Sequence, residues 1–199
     1  MKKILLLFAL LPILTAAGFA QESRQDVSVS VGGIFPVSIS QNAVQQTATN
    51  GLQGLVSYRY MLTPRNAVEA NFGYTQISQK YVTTFDCCWR VHDRMVEFSG
   101  AYVFNLNFKN WNPFLEGGPA AFLHQPLDDA STTYQAFKQE MDLGLIYGGG
   151  VAYELSPSFD LRLEYRGLVM ETPDFGFSTV KVNRFYNLSN PVFGIAYHF

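Results

Sequence analysis

Charged residues are scarce. Asp, Glu, Lys and Arg make up 15% of the 199 residues, against about 25% in soluble domains, so few charges are available to cover a water-facing surface. Long apolar runs are missing as well. Beyond residue 20 none approaches the ~20 residues that a membrane-spanning helix needs, which excludes a helical membrane bundle. No apolar stripe recurs at the 3.6-residue helical period. There is no basic patch and no charge run, which argues against nucleic acid as a partner and against a charged tail. Intrinsic disorder is excluded because 17 Phe, 11 Tyr and 16 Gly accompany the low charge. Only two cysteines occur, adjacent at Cys87 and Cys88.

What is present begins with an export signal. Lys2 and Lys3 form a positive start, Ile4 to Leu14 an apolar segment, and Gly18-Phe19-Ala20 a small-residue cleavage site. Residues 1–20 read as a signal peptide cleaved before Gln21, leaving 21–199 as one domain. The apolar run is too short for an anchor, and no cysteine follows it as a lipoprotein signal requires. Losing the two lysines takes the net charge from −2 to −4.

Alternation at period two dominates the rest, and it predicts strands over about 26–35, 52–62, 67–75, 94–104, 113–123, 142–155, 160–170 and 186–199. Their lengths suit tilted strands crossing a bilayer. Short connections at Thr63-Pro64-Arg65-Asn66, 105–112 and Ser156-Pro157-Ser158 alternate with long ones at 36–51, 76–93, 124–141 and 171–185. That pattern belongs to outer-membrane barrels, with turns on the periplasmic side and loops outside. The fold class expected is all-β: an eight-stranded antiparallel up-and-down transmembrane barrel with both termini in the periplasm of a Gram-negative cell.

One parity of every strand carries no charge, for example Leu52, Gly54, Val56, Tyr58, Tyr60 and Leu62. A Lys or Arg facing lipid at mid-membrane costs roughly 2–4 kcal/mol, so this parity faces outward. The other parity holds polar, charged and small residues. Eight strands enclose a space that side chains fill, so the interior is expected to be a polar plug and not a channel. The charges there need partners. The candidate interior network is Arg59, Glu69, Glu97, Glu116, Glu154, Arg162, Glu164 and Arg166. Closure at Pro64 is expected to set Arg59 opposite Glu69, and closure at Pro157 to set Glu154 opposite Arg162. Glu164 lies between Arg162 and Arg166 on one face. The alternative is that lumen water solvates each charge singly. Aromatics clustered at the turn-side strand ends, including Tyr58, Tyr102, Tyr153 and Tyr197, suggest a headgroup-level girdle, with β propensity alone as the alternative.

The chain resembles the small outer-membrane β-barrel proteins, the superfamily that holds the transmembrane domain of outer-membrane protein A. The resemblance rests on three segments: Gly148-Gly149-Gly150-Val151-Ala152-Tyr153-Glu154-Leu155-Ser156-Pro157 with Leu161-Arg162-Leu163-Glu164-Tyr165-Arg166; Pro113-Phe114-Leu115-Glu116-Gly117-Gly118; and the end, Gly194-Ile195-Ala196-Tyr197-His198-Phe199. It implies passage with periplasmic chaperones and insertion by the barrel-assembly machinery, with Gly194, Tyr197 and Phe199 as the assembly signal. Val192 departs from that signal, which often has a polar residue there. The lipid partners implied are outer-membrane lipid and lipopolysaccharide.

Chemistry-bearing constellations are few. Asn187-Leu188-Ser189-Asn190 is similar to the His-x-Ser-Asn motif of lipid A deacylases with its His replaced by Asn, so Ser189 lacks a general base. His92 and His124 fall in or beside long loops. Cys87 and Cys88 are a candidate disulfide, but adjacent Cα atoms are 3.8 Å apart and a disulfide prefers about 4.4–6.8 Å. An intermolecular disulfide, free thiols, or metal capture with His92 are the alternatives, and two sulfurs with one His fall short of a closed metal site. No catalytic residue, metal site or cofactor is assigned. The function expected is a structural or surface-interaction role, with an unidentified ligand for the loops. Alternatives are a lipid A or phospholipid acyl hydrolase and a narrow pore. A soluble lipocalin-like binder conflicts with the charged inner face.

Overall fold

The computed structural model describes residues 24–41, 44–83, 89–127, 129, 132, 138–176 and 184–199. The signal peptide and the Cys87-Cys88 pair lie outside the described residues. The strands are β1 (Gln25–Pro36), β2 (Ile39–Gln41), β3 (Val44–Ala48), β4 (Gly51–Thr63), β5 (Asn66–Thr83), β6 (Trp89–Asn105), β7 (Trp111–Pro126), β8 (Glu140–Ser156), β9 (Phe159–Glu171) and β10 (Phe185–His198). No described helix is long and apolar enough to cross a membrane.

Eight of these strands close into an antiparallel ring. β4 to β10 each pair with the next in sequence. β1 joins the ends of the series, pairing β4 on one side and β10 on the other. Closure leaves the eight-strand ring without an open edge, which a membrane interior requires. The seam between first and last strands runs from Asp26↔His198 to Pro36↔Leu188. At Gly194 it is tight: a Cβ there would lie 2.6 Å from the Ser30 Cβ, so only glycine lets β10 approach β1 this closely.

The faces follow the alternation. Outward apolar side chains are unusually exposed, including Leu52 at 77%, Leu143 at 71% and Leu163 at 64%. A contiguous belt of such residues around a closed barrel is a lipid-facing surface. At the turn end, rings pack side by side: Trp111 with Tyr153 at 4.8 Å, and Phe159 with Tyr197 at 5.1 Å between centroids.

The sheet reaches further than the alternation of lipid-facing residues indicated. β5 outruns β4, whose last partner is Thr75, and continues with β6 up to Tyr81↔Trp89. β2 and β3 form a small hairpin inside the expected loop 36–51, and β3 pairs with β5 from Ala48↔Gln79 to Val44↔Thr83. The physical reason is an inversion of pattern. Above the apolar belt the outside is water, so Gln76, Ser78 and Lys80 face out while Ile77, Gln79 and Tyr81 are buried inside.

Candidate functional site

The lumen holds the chain's buried charge. At the turn end, Arg59 on β4 faces Glu69 on β5 across the Pro64 hairpin, Nε to Oε2 at 2.6 Å. The Arg59 guanidinium also sits 4.7 Å over the Phe114 ring. Arg162 on β9 reaches Asp26 on β1, Nη2 to Oδ1 at 2.7 Å, and its Nη1 lies 3.8 Å from Glu69 Oε2. His198 Nε2 lies 2.8 Å from Asp160 Oδ2. Below this layer, at the turn-end mouth, is a cavity of about 330 Å³ lined in part by Asn105, Lys109, Glu154 and His198.

The next layer centres on Arg166, which is fully buried. Its Nη2 donates to Glu97 Oε1 at 2.7 Å and its Nη1 to Glu97 Oε2 at 3.3 Å. Its Nε lies 3.3 Å from Glu116 and 3.2 Å from Glu164. Glu97 also accepts from Gln53 Nε2 at 3.0 Å and from the Ser99 hydroxyl at 2.8 Å. Gly73 makes room for this: a Cβ would fall 2.6 Å from Gln53 Nε2 and 3.0 Å from Glu97 Oε2.

Two pairings differ from expectation. The turn at Pro157-Ser158 is tight, with Ser156 opposite Phe159 and a bulge before it. That register sets Ala152 opposite Arg162, and Glu154 opposite Asp160, two residues away from the expected pairing. Glu154 is exposed, and among the described residues it has no ion-pair partner. Arg162 turns to Asp26 and Glu69 and leaves Glu164 to Arg166. Asp26 and Asp160 were not anticipated as partners. Their inward parity, shared with Ser28 and Arg162, was the available signal.

On the loop side of Arg166 the lumen becomes apolar. Ile34, Met95, Phe122, Ile146, Leu168, Met170 and Leu188 pack there, all almost fully buried. Above them lies a second polar cluster. His124 belongs to β7 and is fully buried inside the wall, not placed in a loop. Its Nδ1 is 2.5 Å from Asp93 Oδ2 and its Nε2 3.7 Å from Asp142 Oδ2. Gln79 donates to Asp93 at 3.4 Å. The segment after β9 caps this cluster. Glu140 Oε2 accepts from the backbone N–H groups of Asp174 and Phe175 at 2.8 Å each, and the Tyr81 hydroxyl donates to Pro173 O at 2.8 Å. The buried Phe175 ring meets the His124 ring edge-on at 6.2 Å.

Ser189 is on the opposite face of the wall. Its hydroxyl is 2.8 Å from the Tyr165 hydroxyl on the outer surface. The flanking Asn187 Nδ2 donates to the Tyr147 hydroxyl at 3.0 Å, and Asn190 Nδ2 to Gly33 O at 3.0 Å. His92 on β6 pairs with Asp129 at 2.7 Å. The arrangement therefore separates Ser189 from the lumen imidazole of His124 by the sheet itself. Among the described residues no group of three His, Cys, Asp or Glu side chains is disposed to hold a metal ion. Gly194 occupies the seam, and the Tyr197 and Phe199 rings stack at 6.1 Å.

Several solved barrels share this fold. Similar structures include OprG of Pseudomonas aeruginosa, with TM-score 0.64 and 12% identity over 90% of this chain and 98% of that one. Neisserial surface protein A (NspA) has TM-score 0.56 and 13% identity over 89% of this chain and 98% of that one. Ail, the attachment invasion locus protein of Yersinia pestis, has TM-score 0.54 and 13% identity over 90% of this chain and all of that one. At such identities the likeness speaks for the fold alone. No curated protein matches the chain in sequence. The family model of the outer membrane protein beta-barrel domain matches residues 6–199. With its closed ring, apolar belt and charged lumen, this chain belongs to the outer membrane protein beta-barrel domain family.

Proposed function

We propose that the protein is a structural anchor of the outer membrane that presents its loop end to extracellular partners and neither conducts nor catalyses. The observation that carries this reading is the filled lumen. Arg166 and its carboxylates, the layer of Phe122, Ile146 and Leu168, and the Phe175 cap are buried one above another along the barrel. Such a barrel has no aqueous path and serves as a support, so specificity falls to the loops. Two of the similar structures are named as a surface protein and as an attachment invasion locus protein, and we extend a surface role to this chain on that basis.

In this reading the signal peptide at 1–20 directs Sec export in a Gram-negative cell. Periplasmic chaperones carry the chain, and the barrel-assembly machinery recognises Gly194, Tyr197 and Phe199. The turn end, with both termini of the barrel, faces the periplasm. The ion pairs around Arg59, Arg162 and Arg166 lock the walls together.

Fractionation tests the reading. The protein is expected in the outer-membrane fraction, resistant to SDS when unheated and shifted in mobility on boiling. Protease added to intact cells is expected to cut between β5 and β6 and to spare the Pro64 and Pro157 turns. Stable single-channel conductance in planar bilayers, or acyl release from lipid A abolished by Ser189→Ala, would overturn it.

A further inference from the structure

The turn-end mouth of the barrel holds a cavity of about 330 Å³, a size that suits a small molecule. The connection between β6 and β7 forms one wall of it. Leu106 N–H donates to Pro113 O at 2.7 Å and Phe108 N–H to Trp111 O at 3.2 Å, so the connection is closed on itself. Asn107 Nδ2 donates to Pro64 O at 2.7 Å, and Glu154 N–H to Asn110 O at 3.1 Å. The wall is thereby fixed to the Pro64 turn on one side and to β8 on the other.

The floor is balanced in charge but not in hydrogen bonds. Arg59 is paired with Glu69, and Arg162 with Asp26. Among the described residues, however, Arg59 Nη2 and Arg162 Nε have no hydrogen-bond partner. The Asn105 amide meets the Met61 thioether, Nδ2 to Sδ at 3.8 Å, and sulfur is a weak acceptor. All three side chains line the cavity, and each is more than nine-tenths buried. A buried donor without a good partner costs free energy that an incoming acceptor recovers. Because Glu69 and Asp26 already supply the counter-charge, an uncharged carbonyl suits this floor.

The rim is the reverse. Lys109 and Glu154 line it and are exposed, and among the described residues neither has an ion-pair partner. Glu154 stands opposite Asp160, and like charges directly opposite each other repel. Asp160 is taken up by His198 Nε2 at 2.8 Å, which leaves Glu154 to accept a cation. Lys109 is left to bind an anion. Phe108 and Met61 add apolar lining.

A ligand that matches rim and floor together carries an ammonium at one end, a carboxylate at the other and carbonyl acceptors between them. We infer that the turn-end cavity binds a di- or tripeptide with free ends, its ammonium on Glu154, its carboxylate on Lys109 and its peptide carbonyls toward Asn105, Arg59 and Arg162. This goes beyond the anchor reading by adding a small-molecule site at the end of the barrel opposite the loops. It does not depend on which compartment that end faces.

Isothermal titration of trialanine into the protein, held in maltoside micelles, tests the site. Binding is expected with a Kd of about 1 mM or tighter. N-acetylation or C-amidation of the peptide is expected to weaken it about tenfold, the loss of one hydrogen bond to a charged group. Glu154→Gln is expected to weaken trialanine to the same extent and to bind the N-acetylated peptide as the wild type does. Lys109→Gln is expected to do the same with trialanine and the C-amidated peptide. Added salt is expected to weaken trialanine more than either blocked peptide, and Lys80→Gln, at the loop end, to bind as wild type. No binding up to about 10 mM peptide, equal affinity for free and blocked peptides, or an equal loss of free and N-acetylated peptide in the Glu154 variant would overturn the site. Acetate competing at the same concentration as trialanine would also overturn it, by showing a simple anion site. The blocked peptides need only the wild type, so they decide the matter if a variant does not fold. Heat-shifted mobility is read on the same samples. Its absence in the wild type overturns the anchor reading, whereas its presence without peptide binding overturns the peptide site alone.

Discussion

Arg166 on β9 grips Glu97 on β6 across the lumen, Nη2 to Oε1 at 2.7 Å, although β7 and β8 separate the two strands in the wall. A side-chain contact of this kind ties opposite sides of the barrel directly, which backbone pairing between neighbours does not do. Three carboxyl groups converge on the one guanidinium.

Removing that guanidinium strands buried acids. Arg166→Met is expected to lower barrel stability by about 3–5 kcal/mol, the usual cost of breaking a buried ion pair from one side. Arg166→Lys is expected to recover only part of it, because an ammonium does not reproduce the forked contact with Glu97. Denaturant titration of the SDS-resistant form measures both. In a double-mutant cycle with Glu97→Gln, a coupling of about 0.5–3 kcal/mol is expected for groups in contact. A coupling of zero would mean that lumen water solvates each charge on its own.

The register of the Pro157 turn makes a contrasting pair of expectations. Glu154 is exposed and stands opposite Asp160, so Glu154→Gln is expected to change stability by no more than about 0.5 kcal/mol. Glu69 is buried against Arg59, so Glu69→Gln strands the Arg59 guanidinium, while Arg162 keeps Asp26, and the change is expected to cost about 3–5 kcal/mol. The same denaturant titration reads both variants. Equal costs would mean that Glu154 pairs inside the barrel after all.

Closure depends on one missing methyl group. A Cβ on residue 194 would lie 2.6 Å from the Ser30 Cβ and 2.8 Å from Val29 O. Gly194→Val is expected to prevent the seam between β1 and β10 from forming, seen as loss of the heat-shifted band. Gly194→Ala is expected to give a reduced yield of that band, and Ser30→Gly in the same chain to restore part of it by freeing the side-chain space. If the Ser30 change restores nothing, the Ser30 side chain is not what the glycine makes room for at the seam.

The strands and their faces were legible because lipid outside and packed polar groups inside impose period-two alternation. The Arg59–Glu69 pair was legible for a related reason: both fall on the inner face near the Pro64 turn, and the bulge between Met61 and Thr63 sets them directly opposite each other. The Pro157 turn has the same character, but a register slip of two residues preserves the face and changes only the partner. Face patterning alone therefore does not distinguish Asp160 from Arg162 as the residue opposite Glu154. The β2–β3 hairpin and the upper parts of β5 and β6 were not legible, because above the belt water is outside and the polarity of the pattern reverses. The Ile34, Phe122 and Leu188 layer was hidden for another reason. Buried on the inner side of strands whose outer side is also apolar, these residues blur the alternation instead of marking it.

Phe175 combines burial with an unfavourable backbone. It is fully buried against Val44, Tyr81 and Val91 while its φ is 50°, a conformation that costs a bulky residue about 1–3 kcal/mol. Packing under the cap, together with the hydrogen bonds that the Asp174 and Phe175 N–H groups donate to Glu140, outweighs that strain. Phe175→Ala removes the ring but keeps a Cβ at positive φ, whereas Phe175→Gly removes both. Protection of the Asp174 and Phe175 amides from hydrogen exchange is expected to fall in the order wild type, Phe175→Gly, Phe175→Ala. The two variants should differ by at least about fivefold, corresponding to the roughly 1–2 kcal/mol that a residue with a Cβ pays in the left-handed region. Amides of β9 below the apolar layer are expected to exchange as in the wild type, because a cap of this kind opens locally and not with the whole barrel. If protection is lost throughout β9, the cap is part of the barrel's cooperative unit. If the alanine variant is the better protected, the positive φ carries no strain.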